Sequence, residues 1–103
     1  MANDLLAGRI GRTNFELRQG NITQITVDAL VNSSNASLSV GGGVDSSIHR
    51  MGGPTILAQC QVIGGCPTGN AVITGAGDLT ASYVIHAVPP IYSGKPEDFE
   101  LLR

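Results

Sequence analysis

Residues 29–45, Ala29-Leu30-Val31-Asn32-Ser33-Ser34-Asn35-Ala36-Ser37-Leu38-Ser39-Val40-Gly41-Gly42-Gly43-Val44-Asp45, decide how this chain is read. A short apolar run meets two asparagines, crosses a loop of small residues and reaches three glycines ahead of a helix. Such a strand, loop and helix N-terminus builds a phosphate-facing pocket, because backbone N–H groups point at the ligand and the helix dipole favours negative charge. The glycines let the backbone approach closely and take positive φ. A flexible connection would also use them, but their place at a strand-to-helix junction favours the pocket. The pattern is neither G-x-G-x-x-G nor a Walker A loop, which argues against a dinucleotide or nucleoside-triphosphate site of those types.

Around this stretch the chain alternates strands and helices. Val27 to Val31 is apolar apart from Asp28 and reads as a strand buried on both faces, as in parallel sheets. Upstream, residues 13–19 alternate with Phe15 and Leu17 on one face, a strand signal, and Gly20-Asn21-Ile22-Thr23 reads as a turn. Residues 1–12, interrupted by Gly8 and Gly11, are expected to form a loosely ordered leader. Downstream, a helix is predicted from Val44 or Asp45, with Val44, Ile48 and Met51 on its apolar side. Gly52-Gly53 ends it. Pro54 suits the first turn of a second helix reaching about Ile63, with Ile56, Leu57, Cys60 and Ile63 as its apolar face. Residues 64–69 form a second glycine-rich turn, residues 71–74 and 83–88 read as strands, and Pro89-Pro90 stops the last one. Pro96-Glu97-Asp98 reads as the start of another helix without an end signal, as in a domain truncated after its fourth predicted strand. The order implies an α/β layered fold with ligand contacts at strand ends.

Composition narrows the function classes. With 103 residues, 42% hydrophobic and 14% charged, the chain is a single globular domain at most. Aromatics are 4% and the net charge is -2, so neither base stacking nor a basic face supports nucleic-acid binding. Cys60 and Cys66 fit neither a disulfide framework nor a metal-ligand spacing, and a reducing, cytoplasmic setting without a metal or cofactor is expected. No apolar run is long enough for a membrane span, and residues 1–12 lack a signal-peptide core.

Individual side chains have plain readings beside functional ones. Asp45 falls in the first helical turn, where a carboxylate complements the helix dipole by under about 1 kcal/mol. A general base or ribose-binding group is the other reading. Asn32 reads as a turn asparagine bonding its own backbone, whereas Asn35, nearer the glycines, can present an amide to a sugar hydroxyl. His49 follows Asp45 by four residues, the spacing of an exposed helical ion pair. His86, within an apolar strand, reads as a hydrogen-bonded core histidine. A hydrolase triad from Ser46, Ser47, His49, His86 and Asp28 is disfavoured without a G-x-S-x-G turn.

Taken together, G-N-I-T, V-D-A-L-V-N-S-S-N, G-G-G-V-D-S-S-I-H-R, G-G-C-P-T-G-N-A and Y-V-I-H-A-V resemble the macrodomain family, and most closely its MacroD-like branch. The resemblance runs over roughly residues 14–103, so that residues 13–103 would be a partial macrodomain lacking its C-terminal half. It implies a three-layer α/β/α sandwich around a mixed sheet and an ADP-ribose ligand. By the same resemblance, Asn21 contacts the adenine amino group, with the Ile22 backbone beside it. Asn35 contacts the distal ribose, and Gly41, Gly42, Gly43 and Val44 wrap the diphosphate and that ribose. Asp45 helps to position or activate the water that attacks at the distal ribose. The implied activity is hydrolysis of ADP-ribosyl-protein bonds and of O-acetyl-ADP-ribose, with ADP-ribose or an ADP-ribosylated protein as partner. A non-catalytic ADP-ribose-binding module, or an inactive fragment, are the other readings. The family usually has Asp where Asn21 stands; an uncharged acceptor should weaken adenine selection on the order of 1 kcal/mol. The family's V-N-A-A-N is V-N-S-S-N here, and Pro89 replaces its usual glycine. A missing second half would leave sheet edges and apolar faces uncovered, inviting self-association or a complementing C-terminal segment.

Overall fold

The computed structural model describes residues 4–90. The helix start expected at Pro96 lies outside them. The chain forms, in order, β1 (Asp4–Ile10), β2 (Thr13–Arg18), a 3-10 turn (Ile22–Gln24), β3 (Ala29–Ser33), α1 (Gly43–Gly52), α2 (Pro54–Ile63), β4 (Ala71–Gly75) and β5 (Tyr83–Ala87).

β1 and β2 form an antiparallel hairpin closed by Gly11 and Arg12, with Ile10 opposite Thr13 and Gly11 at φ 60°. Residues 4–10, expected as part of a loose leader, are therefore a paired strand. A two-residue turn opening on a positive-φ glycine twists its flanking strands into register. Every β2 residue is exposed, so the hairpin is held by its own ladder and not by core burial.

The second sheet has the order β3-β5-β4, with β3 and β5 parallel and β4 antiparallel to β5. Its registers place Leu30 opposite Val84, Asn32 opposite His86, Val72 opposite His86 and Thr74 opposite Val84. These residues share one face by the period-two rule. α1 contacts β3 and α2, and α2 contacts β4. The core between these helices and the sheet is Leu30, Ile48, Ile56, Cys60 and Val84, with Leu38. On the opposite face Val31, Ile73 and Tyr83 are 61%, 57% and 52% exposed. The reading of residues 27–31 as buried on both faces is corrected: among the described residues only one face of β3 is covered.

Both helices stop where the glycines predict, but α1 buries a different face. Asp45, Ile48, His49 and Gly52 are inside, whereas Val44 and Met51 are about half exposed. In α2 the inward residues are Ile56 and Cys60, and Ile63 at the last turn is exposed. The loop between β3 and α1 is anchored by Leu38, the one non-glycine residue with positive φ among those described, at 57°. That conformation costs an ordinary residue roughly 1–2 kcal/mol. Full burial of a leucine side chain contributes about 1.5–3 kcal/mol, so the anchor at 2% exposure outweighs the strain. Leu38 N–H also donates to Asn35 C=O at 3.0 Å, closing the turn.

Candidate functional site

The site forms where β3 and β5 end and α1 begins, along the path from the 3-10 turn through the glycine loop to the Asn35 loop. On one side Gly20, Asn21, Ile22, Val44 and Ser47 line a depression of about 460 Å³. The structure thus brings Asn21, Ile22 and Val44 together, although the last two are 22 positions apart. Asn21 is exposed and caps the 3-10 turn: its Oδ1 accepts from Thr23 N–H at 3.0 Å and Thr23 Oγ1–H at 2.6 Å. Its oxygen therefore already has two donors, and its amide NH2 is the group better placed to offer a new bond.

On the other side Asn35 joins Ser34, Ala36, Thr68, Pro89 and Pro90 around a depression of about 240 Å³. The Asn35 side chain folds back on its own loop. Its Oδ1 accepts from Ser39 N–H at 3.0 Å and Ser37 Oγ–H at 2.9 Å, and its Nδ2 donates to Ser39 C=O at 2.9 Å. Asn35 thus closes the turn, the part expected of Asn32.

The glycine loop lies in the chain between Asn35 of one depression and Val44 of the other. Gly42 precedes the helix without a side-chain cap, and Gly43 takes φ 62°, a conformation that favours glycine. At Gly41 the requirement is closeness: an added Cβ would lie 3.2 Å from Asp45 Oδ2 and 3.6 Å from Asn35 Nδ2. Gly41 is where loop, carboxylate and asparagine converge.

Asp45 is 5% exposed, and two donors and the His49 ring meet its carboxylate. Gly41 N–H donates to Oδ2 at 2.7 Å, Asn32 Nδ2 donates to Oδ1 at 2.6 Å, and His49 Nε2 lies 3.3 Å from Oδ1. A carboxylate accepts about four hydrogen bonds, so this arrangement leaves room for one more donor such as water. The exposed helical pair expected of Asp45 and His49 is instead buried, at 5% and 8% exposure. It is buried because the stripe at Asp45, Ile48, His49 and Gly52 is the one that faces β3.

Asn32 is not a turn residue. It lies inside β3, fully buried, between Asp45 and His86. His86 meets the expectation of a hydrogen-bonded core histidine, with Nδ1 3.2 Å from Asn32 Nδ2 and Nε2 2.9 Å from Thr74 Oγ1. Burial pushes its pKa below the ordinary 6.5; the nearby His49 adds to this and Asp45 opposes it. Burial likewise raises the Cys60 thiol, with Asp45 adding to it. Sequence reading missed Asn32 and Thr74. The available signal was alternation: Asn32 follows the core residue Leu30 by two, as His86 follows Val84.

Cys60 and Cys66 are buried thiols, and no group of three or more His, Cys, Asp or Glu residues is arranged for a metal ion among the described residues. Among them, no helix is long and apolar enough to cross a membrane.

An α/β unit with a mixed sheet, a glycine loop at the first helix and a buried Asp45 beneath that loop defines the class. Residues 31–103 match the Macro domain family, and the chain belongs to it. It is 56% identical over 90 residues to an O-acetyl-ADP-ribose deacetylase of Pantoea vagans, a match covering 82% of this chain and 53% of that protein. It is 50% identical over 96 residues to the O-acetyl-ADP-ribose deacetylase of Salmonella typhimurium, covering 88% of this chain and 54% of the relative. The Oceanobacillus iheyensis macrodomain with ADP superposes with a TM-score of 0.88 at 36% identity, over 94% of this chain and 55% of that one. A point variant of that macrodomain with ADPR gives 0.88 at 35% identity, over 94% and 56%. The chain spans about half the length of the curated relatives it matches.

Proposed function

We propose that this chain supplies the adenine side, the first phosphate loop and the candidate catalytic carboxylate of an ADP-ribose pocket. In the complete domain that pocket hydrolyses ADP-ribosyl-protein bonds and O-acetyl-ADP-ribose. The observation that carries the reading is Asp45, whose buried carboxylate is held by Gly41 N–H at the inner edge of the glycine loop. A diphosphate on that loop would place its distal ribose between Asn35 and Asp45. The remaining acceptor capacity of Asp45 then orients water toward the ribose. The carboxylate acts as much by positioning as by basicity, since a carboxylate takes a proton from water only weakly at neutral pH. Adenine lies in the depression of Asn21, Ile22 and Val44, where the Asn21 amide NH2 donates to a ring nitrogen.

Asn21 and Asn35 favour a second reading, a module that binds ADP-ribose without turnover. Both spend their oxygens on neighbouring residues of their own turns. Incubation with O-acetyl-ADP-ribose and with a mono-ADP-ribosylated protein, beside calorimetric titration of ADP-ribose, separates the two. Release of acetate or ADP-ribose, lost in Asp45→Ala, supports the hydrolase. Binding with both substrates intact, even with the second half of a macrodomain added in trans, removes it in favour of the module. The exposed face bearing Val31, Ile73 and Tyr83 is where a complementing segment would complete the domain, and adding the second half of a macrodomain in trans should raise both activities.

A further inference from the structure

The hydrogen bonds behind Asp45 continue across the sheet, and their directions can be worked out. The Asn32 amide nitrogen has two hydrogens and no lone pair available, so both of its contacts are donations. One goes to Asp45 Oδ1 at 2.6 Å and the other to His86 Nδ1 at 3.2 Å. The reversed amide would set the Asn32 oxygen against Asp45 Oδ1, two acceptors in contact, so the geometry selects the orientation. His86 Nδ1 must then carry a lone pair. The ring is neutral, with its proton on Nε2, and donates to Thr74 Oγ1 at 2.9 Å. The Thr74 hydroxyl in turn donates to Gly75 C=O at 2.9 Å. Cys60 Sγ, 3.9 Å from Nε2, is a weak additional neighbour. Asn32 and His86 are both fully buried, so water does not substitute for any of these partners.

We propose that His86 is a positioning residue for the reaction: the Nδ1 lone pair of its neutral ring holds the Asn32 amide so that it donates to Asp45, and a proton on Nδ1 releases that hold. This rests on the reading of Asp45 as the water-positioning carboxylate. A protonated Nδ1 would face the Asn32 NH2 with a second donor. Turning the amide to relieve this places its oxygen on Asp45, which loses its shortest bond and gains a repulsive neighbour. Asp45 Oδ1 is then left with His49 alone.

The groups facing His86 are Asn32 from β3, Thr74 from β4, Cys60 from α2, and Asp45 and His49 from α1, the His49 ring centroid being 6.2 Å away. Burial and His49 oppose a second proton and Asp45 favours one, with a net lowering of the His86 pKa. The hold is therefore complete at neutral pH and fails only on the acid side.

The first test uses the unaltered chain with 15N-labelled histidine. At pH 7 the spectrum should show an unprotonated Nδ1 and a protonated Nε2 at His86. The opposite tautomer, or an imidazolium, overturns the proposal. The second compares His86→Phe, which lacks the lone pair, with His86→Asn, whose amide oxygen can stand near Nδ1. The Asn32 side-chain amide protons should be exchange-protected in the unaltered chain, unprotected in His86→Phe and protected again in His86→Asn. Protection persisting in His86→Phe overturns the proposal without reference to turnover. In hydrolysis of O-acetyl-ADP-ribose, His86→Phe should lower kcat on the order of 10- to 100-fold with KM little changed, the scale on which misplaced reacting groups act. His86→Asn should recover most of it and lose the acid-side fall in kcat. Equal kcat in all three chains refutes the positioning role. If the unaltered chain shows the expected tautomer and protection but hydrolyses nothing even with the second half of a macrodomain added in trans, the hydrolase reading fails instead.

Discussion

Removing the Asp45 carboxylate should cost more stability than an exposed first-turn acid could explain. At a solvated helix start, Asp→Ala forfeits under about 1 kcal/mol of dipole interaction. Here Gly41 N–H, Asn32 Nδ2 and His49 Nε2 all converge on a carboxylate that is 5% exposed. Asp45→Ala deprives each of its acceptor, at roughly 1–3 kcal/mol for every buried donor left unsatisfied. Water entering the vacated space offsets part of this, which leaves about 3–5 kcal/mol. Asp45→Asn separates the contributions. Its oxygen can still accept from Asn32 and His49, but its NH2 faces the Gly41 N–H, so about 2 kcal/mol should be lost. Equilibrium urea unfolding at pH 7.5, followed by far-UV circular dichroism, measures both. The expected order is unaltered chain, Asp45→Asn, Asp45→Ala, with unchanged m-values. A loss below about 1 kcal/mol for Asp45→Ala would refute the reasoning, because the carboxylate would then behave as a solvated dipole cap.

Three further outcomes follow from the same geometry. Stability should fall as pH drops below about 6.5: the folded pKa of His86 is lowered, so the unfolded chain binds more protons between that pKa and 6.5. The fall in urea melts should level off below the folded pKa and flatten in His86→Asn. Gly77→Ala should destabilise by about 2–4 kcal/mol in the same assay, combining left-handed strain with a clash against a hydrogen-bonded carbonyl. Gly77 sits at φ 56°, and a Cβ there would overlap the Gly52 carbonyl oxygen that accepts from Asp78 N–H. Gly41→Ala should leave the fold within about 1 kcal/mol of the unaltered chain, since only side-chain tips must give way. It should weaken ADP-ribose roughly threefold to tenfold in calorimetry by pushing on Asp45 and Asn35, a displacement of a few tenths of an ångström at the ligand-facing edge.

The segment from Ala29 to Asp45 was legible in the sequence because each of its parts has a local cause. β-branched and apolar residues make the strand, three glycines make the close loop, and Gly52-Gly53-Pro54 separates the two helices at the residues where they divide. The hairpin of residues 4–18 was half legible. β2 alternates, but the pairing of β1 rests on a two-residue turn whose glycine reads as an interruption until its partner strand is known. The inward face of α1 was misread for a different reason. Val44, Ile48 and Met51 form an apolar stripe, yet the buried stripe carries Asp45 and His49. Periodicity ranks residues by their cost in an apolar medium and takes no account of partners that arrive from elsewhere in the chain.

Those partners mark the boundary between sequence and tertiary structure. The sequence by itself determined the element order from residue 13 to residue 88, the positions of the loops there and the likeness to macrodomains, because these depend on local conformation and on motifs contiguous in the chain. Only the tertiary structure decided that Asn32, 13 residues from Asp45 and 54 from His86, joins the two. The same fold turned Asn35 into the residue that closes the loop and buried most of Asp45. A buried polar cluster is tolerable when most of its hydrogens and lone pairs find partners; here these come from three strands and two helices, and only Asn32 Oδ1 and His49 Nδ1 lack one among the described residues.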